Sequence, residues 1–228
     1  MNSKTPQLVV MITKDDRTVD NAFEIFEKCK NTKANYWGFK EESLPADEMK
    51  RLFRYMKECG KTTSLEVVQY DEKAGLEGAA IAAECGCDIL MGTVYFPSIH
   101  QFCREHGLKY MPFVGEVTER PSILGGSIDG MIAQGQDYAA KGVDGIDLLS
   151  YRYVGDQQEL NRRFVSEVEL PVCIAGSVDC YEKLDELLDC SPWSFTIGGA
   201  FFDKKFGTEF DEQINTVCDY MAQGEKND

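Results

Sequence analysis

The sequence predicts a single α/β domain, a closed (β/α)8 barrel spanning residues 1–228, and three observations carry that expectation. Eight short apolar runs recur along the chain at intervals of about 20–35 residues. One helix-length segment separates each neighbouring pair of runs, and no linker of biased composition divides the chain. Strict alternation of strand and helix demands parallel neighbours, because a parallel pair needs a crossover connection. Eight such units in 228 residues match the lower size limit of the barrel. An open doubly wound sheet is the alternative, but the first βα turn, TKDDRT, lacks the glycine-rich dinucleotide fingerprint.

In chain order the strands are QLVVMIT (7–13), ANYWGFK (34–40), TSLEVVQ (63–69), DILMGT (88–93), LKYMPFVG (108–115), VDGIDLL (143–149), PVCIAG (171–176) and WSFTIGG (193–199). The intervening helices show apolar residues at three- and four-residue spacing. In PADEMKRLFRYMKECG, Met49, Leu52, Phe53 and Met56 form one stripe, with Pro45 at the start and Gly60 as the stop. The last helix repeats the pattern with Phe210, Ile214, Val217, Cys218 and Met221, behind Thr208 and Asp211 at capping-box-like spacing.

Composition bounds the partners. Hydrophobic residues make up 43% and charged residues 28%, an ordinary globular balance. Twenty-four Lys and Arg against 39 Asp and Glu give a net charge of −15, which disfavours nucleic acid and anionic membranes as partners. No apolar stretch approaches the roughly 18 residues of a membrane span. The N-terminal MNSKTPQLVVMITK lacks the pattern of a signal peptide, so a cytoplasmic location is expected. Nine cysteines scattered over helices, strands and turns, with only Cys85 and Cys87 close together, form neither a zinc pattern nor a disulfide framework. No metal is expected. The oligomeric state is not legible.

Ligands of such barrels gather at the C-terminal ends of the strands, and a phosphate often sits after strands 7 and 8. Those ends read IAGSVD (174–179) and TIGGAFFDKKFG (196–207). Gly176 and Ser177, then Gly198, Gly199 and Ala200, would let backbone N–H groups approach an anion closely. At physiological salt the Debye length is about 8 Å, so remote surface carboxylates do not forbid such a ligand.

Strands covered on both faces should be almost wholly apolar, and three charges break that rule. In ANYWGFK, Trp37 and Phe39 share the helix-facing side, which turns Gly38 and Lys40 inward at the rim. Glu66 stands in the middle of the adjacent strand, within reach of Lys40. In VDGIDLL, Gly145 and Asp147 point inward. A buried charge costs several kcal/mol unless paired, so Lys40, Glu66 and Asp147 are the catalytic candidates. Desolvation would lower the Lys40 pKa and suit it to polarise a carbonyl or form an imine, with Glu66 or Asp147 carrying a proton. Lys14 and Asp15 end the first strand. Glu116 and Arg120 open the segment GEVTERPSILGGS, which is long enough to act as a lid. Tyr151, Arg152 and Tyr153 follow strand 6, and Arg152 suits a second anion contact. Lys14, Glu116 and Arg152 are therefore the substrate-binding candidates.

The pair IAGSVDCYEKLDEL and FTIGGAFFDKKF resembles the last two βα units of the phosphate-binding TIM barrels. That group includes N-acylmannosamine-phosphate epimerases, ketodeoxygluconate-phosphate aldolases and the phosphoribosyl isomerases of histidine and tryptophan synthesis. The resemblance implies a small phosphorylated metabolite held by Gly176, Ser177, Gly199 and Ala200. Strand 6 lacks the aldolases' Schiff-base lysine, and Ala175-Gly176-Ser177 stands where the epimerases place a glutamate. Thr13, Lys14 and Asp15 stand where the isomerases place an acid or cysteine. Isomerisation, epimerisation and aldol-type cleavage thus stay open. The alternatives are a non-catalytic sensor similar to the glycerol-phosphate-responsive antiterminators and an FMN-binding oxidoreductase; no cofactor is otherwise expected.

Overall fold

The computed structural model describes residues 5–224 as eight parallel strands closed into a barrel. The strands are β1 (Gln7–Met11), β2 (Tyr36–Lys40), β3 (Thr62–Val67), β4 (Ile89–Val94), β5 (Lys109–Phe113), β6 (Ile146–Leu148), β7 (Val172–Ile174) and β8 (Ser194–Ile197). Helices α1 (Ala22–Cys29), α2 (Ala46–Glu58), α3 (Glu72–Cys85), α4 (Pro97–His106), α5 (Ile128–Lys141), α6 (Gln157–Glu167) and α7 (Tyr181–Cys190) follow the first seven strands in turn. A four-residue helix, α8 (Gly199–Phe202), and the closing α9 (Phe210–Gly224) follow β8. Strand β1 closes the ring by pairing with β8, Gln7 opposite Ser194, and with β2, Val9 opposite Tyr36.

The period-two alternation of each strand divides the apolar residues between two cores. Outside the barrel, Trp37 meets Phe26 of α1 edge-on at 5.1 Å, and Phe39 stacks on Phe53 of α2 at 4.3 Å. The α2 stripe of Met49, Leu52, Phe53 and Met56 is buried against the sheet, and Gly60 takes φ +76° after the helix, a conformation a side chain resists. Inside the barrel, Val9, Met11, Ile89, Met91, Met111 and Cys173 form a second, smaller cluster. Tyr36 and Trp193, in edge-to-face contact at 5.4 Å, pack against it at the N-terminal end of the strands. The inward position 38 is a glycine because nothing larger fits: a Cβ there would lie 2.2 Å from Ser64 Oγ. All nine cysteines are free thiols. Among the described residues no helix is long and apolar enough to cross a membrane.

Two antiparallel hairpins depart from the simple alternation, both at the C-terminal mouth. Thr13–Lys14 pairs with Arg17–Thr18 around a two-residue turn in which Asp15 and Asp16 have φ +49° and +63°. Positive φ at both central residues is the turn geometry that matches strand twist in a tight hairpin. The segment expected to act as a lid is a second hairpin, Glu116–Thr118 against Ile123–Gly125, with a cis Arg120–Pro121 bond at its tip. Tyr70 Oη donates to Glu119 O at 2.6 Å and lies 2.9 Å from Ser122 Oγ, pinning that tip over the loop after β3.

Candidate functional site

A cavity of about 290 Å³ opens at the C-terminal mouth, and its wall carries both groups of residues singled out in the sequence. Gly176, Ser177, Gly198, Gly199 and Ala200 form one side; Lys40 and Glu66 lie on the other. The glycine turns are required by their surroundings. Gly176 has φ +101°, and a Cβ there would sit 2.7 Å from Arg152 Cγ. A Cβ on Gly198 would meet Thr13 Oγ1 at 2.7 Å, whereas one on Gly199 would meet nothing within 4 Å. Ser177 also holds a positive φ, +92°, which costs a non-glycine residue on the order of 1 kcal/mol. Gly199 and Ala200 begin α8, where backbone N–H groups have no helical carbonyl to pair with.

Lys40 and Glu66 are register partners on β2 and β3, and Lys40 Nζ lies 3.1 Å from Glu66 Oε1. The period-two reading of both strands is borne out. Lys40 Nζ also donates to Asp16 in a second, shorter ion pair that the sequence did not reveal. Thr18 holds the Lys40 backbone from both sides, its hydroxyl donating to Lys40 O at 2.7 Å and accepting from Lys40 N at 3.0 Å.

These partners correct the expected lysine chemistry. Burial alone would lower the Lys40 pKa, but the charges and hydrogen bonds of Glu66 and Asp16 outweigh it and hold that pKa above the ordinary lysine range. The side chain is an ammonium ion and not a free amine.

Asp16 links the lysine to the hairpin that follows β5. Arg120 Nε donates to Asp16 Oδ2 at 3.0 Å, and its Nη1 lies 2.8 Å from Glu42 and 3.4 Å from Glu41. Glu41 Oε1 further accepts from Val68 N at 3.1 Å, while burial pushes its carboxyl up against the opposing pull of Arg120. Arg120 thus straps the hairpin across the mouth, and Pro121 and Ser122 become part of the cavity wall.

Asp147 points into the barrel as expected, but deeper. It is 1% exposed, lies off the cavity wall, and neither carboxyl oxygen has a hydrogen-bond partner. Burial first, then the negative charge of Glu66, push its carboxyl well above the usual carboxylate range against the pull of Lys40. Burial thus favours its neutral form, and of the two inward acids only Glu66 lies on the cavity wall.

The remaining candidates divide. Arg152 lines the cavity, and its guanidinium makes no ion pair among the described residues; Asp156 instead caps α6 by accepting from Glu159 N. Lys205, which sequence reasoning passed over, also lines the wall with its ammonium unpaired among the described residues. Lys14 is half-exposed, pairs with Asp203 at 3.2 Å and stays off the wall. Glu116 is exposed at the base of its hairpin, opposite Gly125, and also lies off the wall. The phenols beside Arg152 serve the frame: Tyr151 Oη lies 3.1 Å from Glu186, and Tyr153 Oη donates to Gly126 O at 2.9 Å.

No protein-family model and no curated protein sequence matches the chain. Solved structures do match it in fold. The chain superposes on the N-(5'-phosphoribosyl)anthranilate isomerase of Pyrococcus furiosus with a TM-score of 0.67 at 10% identity, covering 96% of this chain and 99% of that one. The tryptophan synthase alpha chain of Legionella pneumophila gives 0.65 at 12% identity over 98% and 93%. The N-acetylmannosamine-6-phosphate 2-epimerase of Clostridium perfringens gives 0.62 at 14% over 85% and 86%. At such identities the likeness establishes one thing, that this chain folds as the same (β/α)8 barrel as these enzymes.

Proposed function

We propose that the protein is an enzyme that moves a proton on the carbon next to a carbonyl in a small phosphorylated metabolite, as an isomerase or epimerase does. The observation that carries this reading is Lys40, an ammonium ion held between Asp16 and Glu66 on the wall of a cavity whose other side is made of glycine turns and two unpaired cations. An ammonium ion aimed at a carbonyl oxygen stabilises the negative charge that develops there when the neighbouring carbon loses its proton. Glu66 accepts that proton and returns it to the same carbon or its neighbour. Aldol cleavage through an imine needs a neutral amine, which the two carboxylates oppose.

The phosphate would be gripped by the backbone at Gly176–Ser177 and Gly199–Ala200, with Arg152 and Lys205 supplying the countercharge. Binding the unreactive end in this way positions the reacting carbon. Two of the structural neighbours are, by name, an isomerase and an epimerase of phosphorylated compounds, which supports the reading. The cavity, about 290 Å³, lies at the lower end of the roughly 300–1,000 Å³ usual for small-molecule sites. That size favours a sugar phosphate over a flavin nucleotide.

The test is a thermal-shift screen of sugar phosphates, followed by incubation of each ligand in D2O with NMR detection of carbon-bound deuterium. Wild-type protein should exchange one substrate hydrogen, and Glu66→Gln should bind the ligand but exchange none. A ligand that binds without exchange in wild-type protein would instead support a sensor.

A further inference from the structure

We propose that the ligand carries a single anionic group, its phosphate, and that the rest of it is a neutral polyhydroxy aldehyde or ketone, so that phosphorylated keto acids and aldonates are rejected. This rests on the reading of the cavity as a phosphometabolite site and narrows its class.

The two ends of the cavity differ in how their cations are used. At the β7–β8 end the wall carboxylates Asp179 and Asp203 are paired with Lys183 and Lys14, while Arg152 and Lys205 have no carboxylate partner among the described residues, so positive charge is left for a ligand. At the β1–β3 end, none is left. Lys40 is shared by Asp16 and Glu66, and Arg120 is divided among Asp16, Glu41 and Glu42. Two cations against four carboxylates give that cluster a formal charge of −2. Even with Glu41, which burial pushes toward the neutral form, carrying a proton, the cluster remains at −1.

A ligand carboxylate arriving there would meet like charge within a partly desolvated wall, where Coulomb forces are poorly screened. At the one N–H of Lys40 not directed at Asp16 or Glu66 it would stand beside both of those carboxylates. Hydroxyl groups face the opposite situation, because carboxylates accept their protons, and a carbonyl oxygen accepts from Lys40 without bringing charge. Specificity here is the cost imposed on the wrong ligand as much as the attraction of the right one.

Calorimetric titration of the full chain with matched pairs tests the inference: glucose 6-phosphate against 6-phosphogluconate, ribose 5-phosphate against 5-phosphoribonate, with inorganic phosphate as the reference. The sugar phosphate of at least one pair should bind about tenfold or more tighter than its aldonate, and no aldonate should bind tighter than inorganic phosphate. Glu66→Gln should narrow that gap by raising aldonate affinity. Aldonates that match or exceed their sugar phosphates in wild-type protein overturn the inference, as does a gap that Glu66→Gln leaves unchanged. The parent reading fails in a different way: inorganic phosphate and every phosphate ester would fail to bind, and Arg152→Ala would change nothing.

Discussion

Replacing Asp147 with asparagine should change how stability depends on pH, by an amount that follows from where the carboxyl sits. Both its oxygens are buried without partners, and burial with the nearby Glu66 charge keeps the proton on well above the ordinary value of 3.8. The unfolded chain releases that proton near the ordinary value. Over the interval between the two, the folded state holds one proton more than the unfolded state. Its contribution to stability is therefore complete below about pH 4 and falls as pH rises toward the folded pKa, by about 1.4 kcal/mol per pH unit. Asp147→Asn removes this dependence and leaves the other groups in place. Relative to wild type, the variant should gain stability as pH rises above about 4. In a domain of this size that slope corresponds to a Tm gap widening by about 3–5 °C per pH unit. Thermal unfolding followed by circular dichroism, repeated with urea at several pH values, measures it. A gap that stays constant with pH, or one that moves in favour of wild type as pH rises, would refute the assignment of a neutral buried acid.

Three further outcomes follow from the site. Because the Lys40 pKa is raised, the stability it contributes is complete below the ordinary lysine value of 10.5 and lost only as pH rises through the higher folded value. Turnover should therefore show no lysine-dependent fall on the basic side below about pH 10, and a basic limb near neutrality that disappears in Lys40→Arg would contradict the ammonium assignment. Gly176→Ala must hold a side chain at φ +101° with its Cβ 2.7 Å from Arg152, and should lose more than about 1 kcal/mol in urea unfolding. Gly199→Ala, whose Cβ meets nothing, should leave Tm unchanged and weaken phosphate binding by titration; equal Tm losses in the two variants would show that the cradle geometry is misread. Arg120→Ala removes a quarter-exposed guanidinium from Asp16 and Glu41, which are only about one-tenth exposed, so its stability cost should exceed the roughly 1 kcal/mol of a surface pair. The same change should increase proteolytic cleavage between residues 116 and 125, and unchanged cleavage would mean that Arg120 does not hold the strap.

The barrel and the inward charges were legible because both depend on local periodicity. In ANYWGFK the two large aromatics occupy alternate positions and must face the helices, which leaves Lys40 no direction but inward, and the adjacency of β2 and β3 then brings Glu66 to it. The glycine turns after β7 and β8 were legible for a related reason, since small residues at strand ends mark a backbone that something approaches closely. The environment of the lysine was not. Asp16 reaches it only because an Asp–Asp turn takes up positive φ without the glycine that usually announces such a hairpin. Arg120 reaches Asp16 across a separation of 104 residues. The phenols beside Arg152, which follow the same strand end, are turned by packing toward Glu186 and Gly126.

Sequence alone thus determined the barrel, the face on which each strand charge lies and the position of the glycine turns, because side-chain direction in a strand is set by counting residues. Only the tertiary structure decided that Lys40 is a paired cation, that Asp147 is sealed below the cavity, and that positive charge remains free at one end alone. Those properties are sums of charge and burial over groups from distant parts of the chain, and no local pattern encodes such a sum.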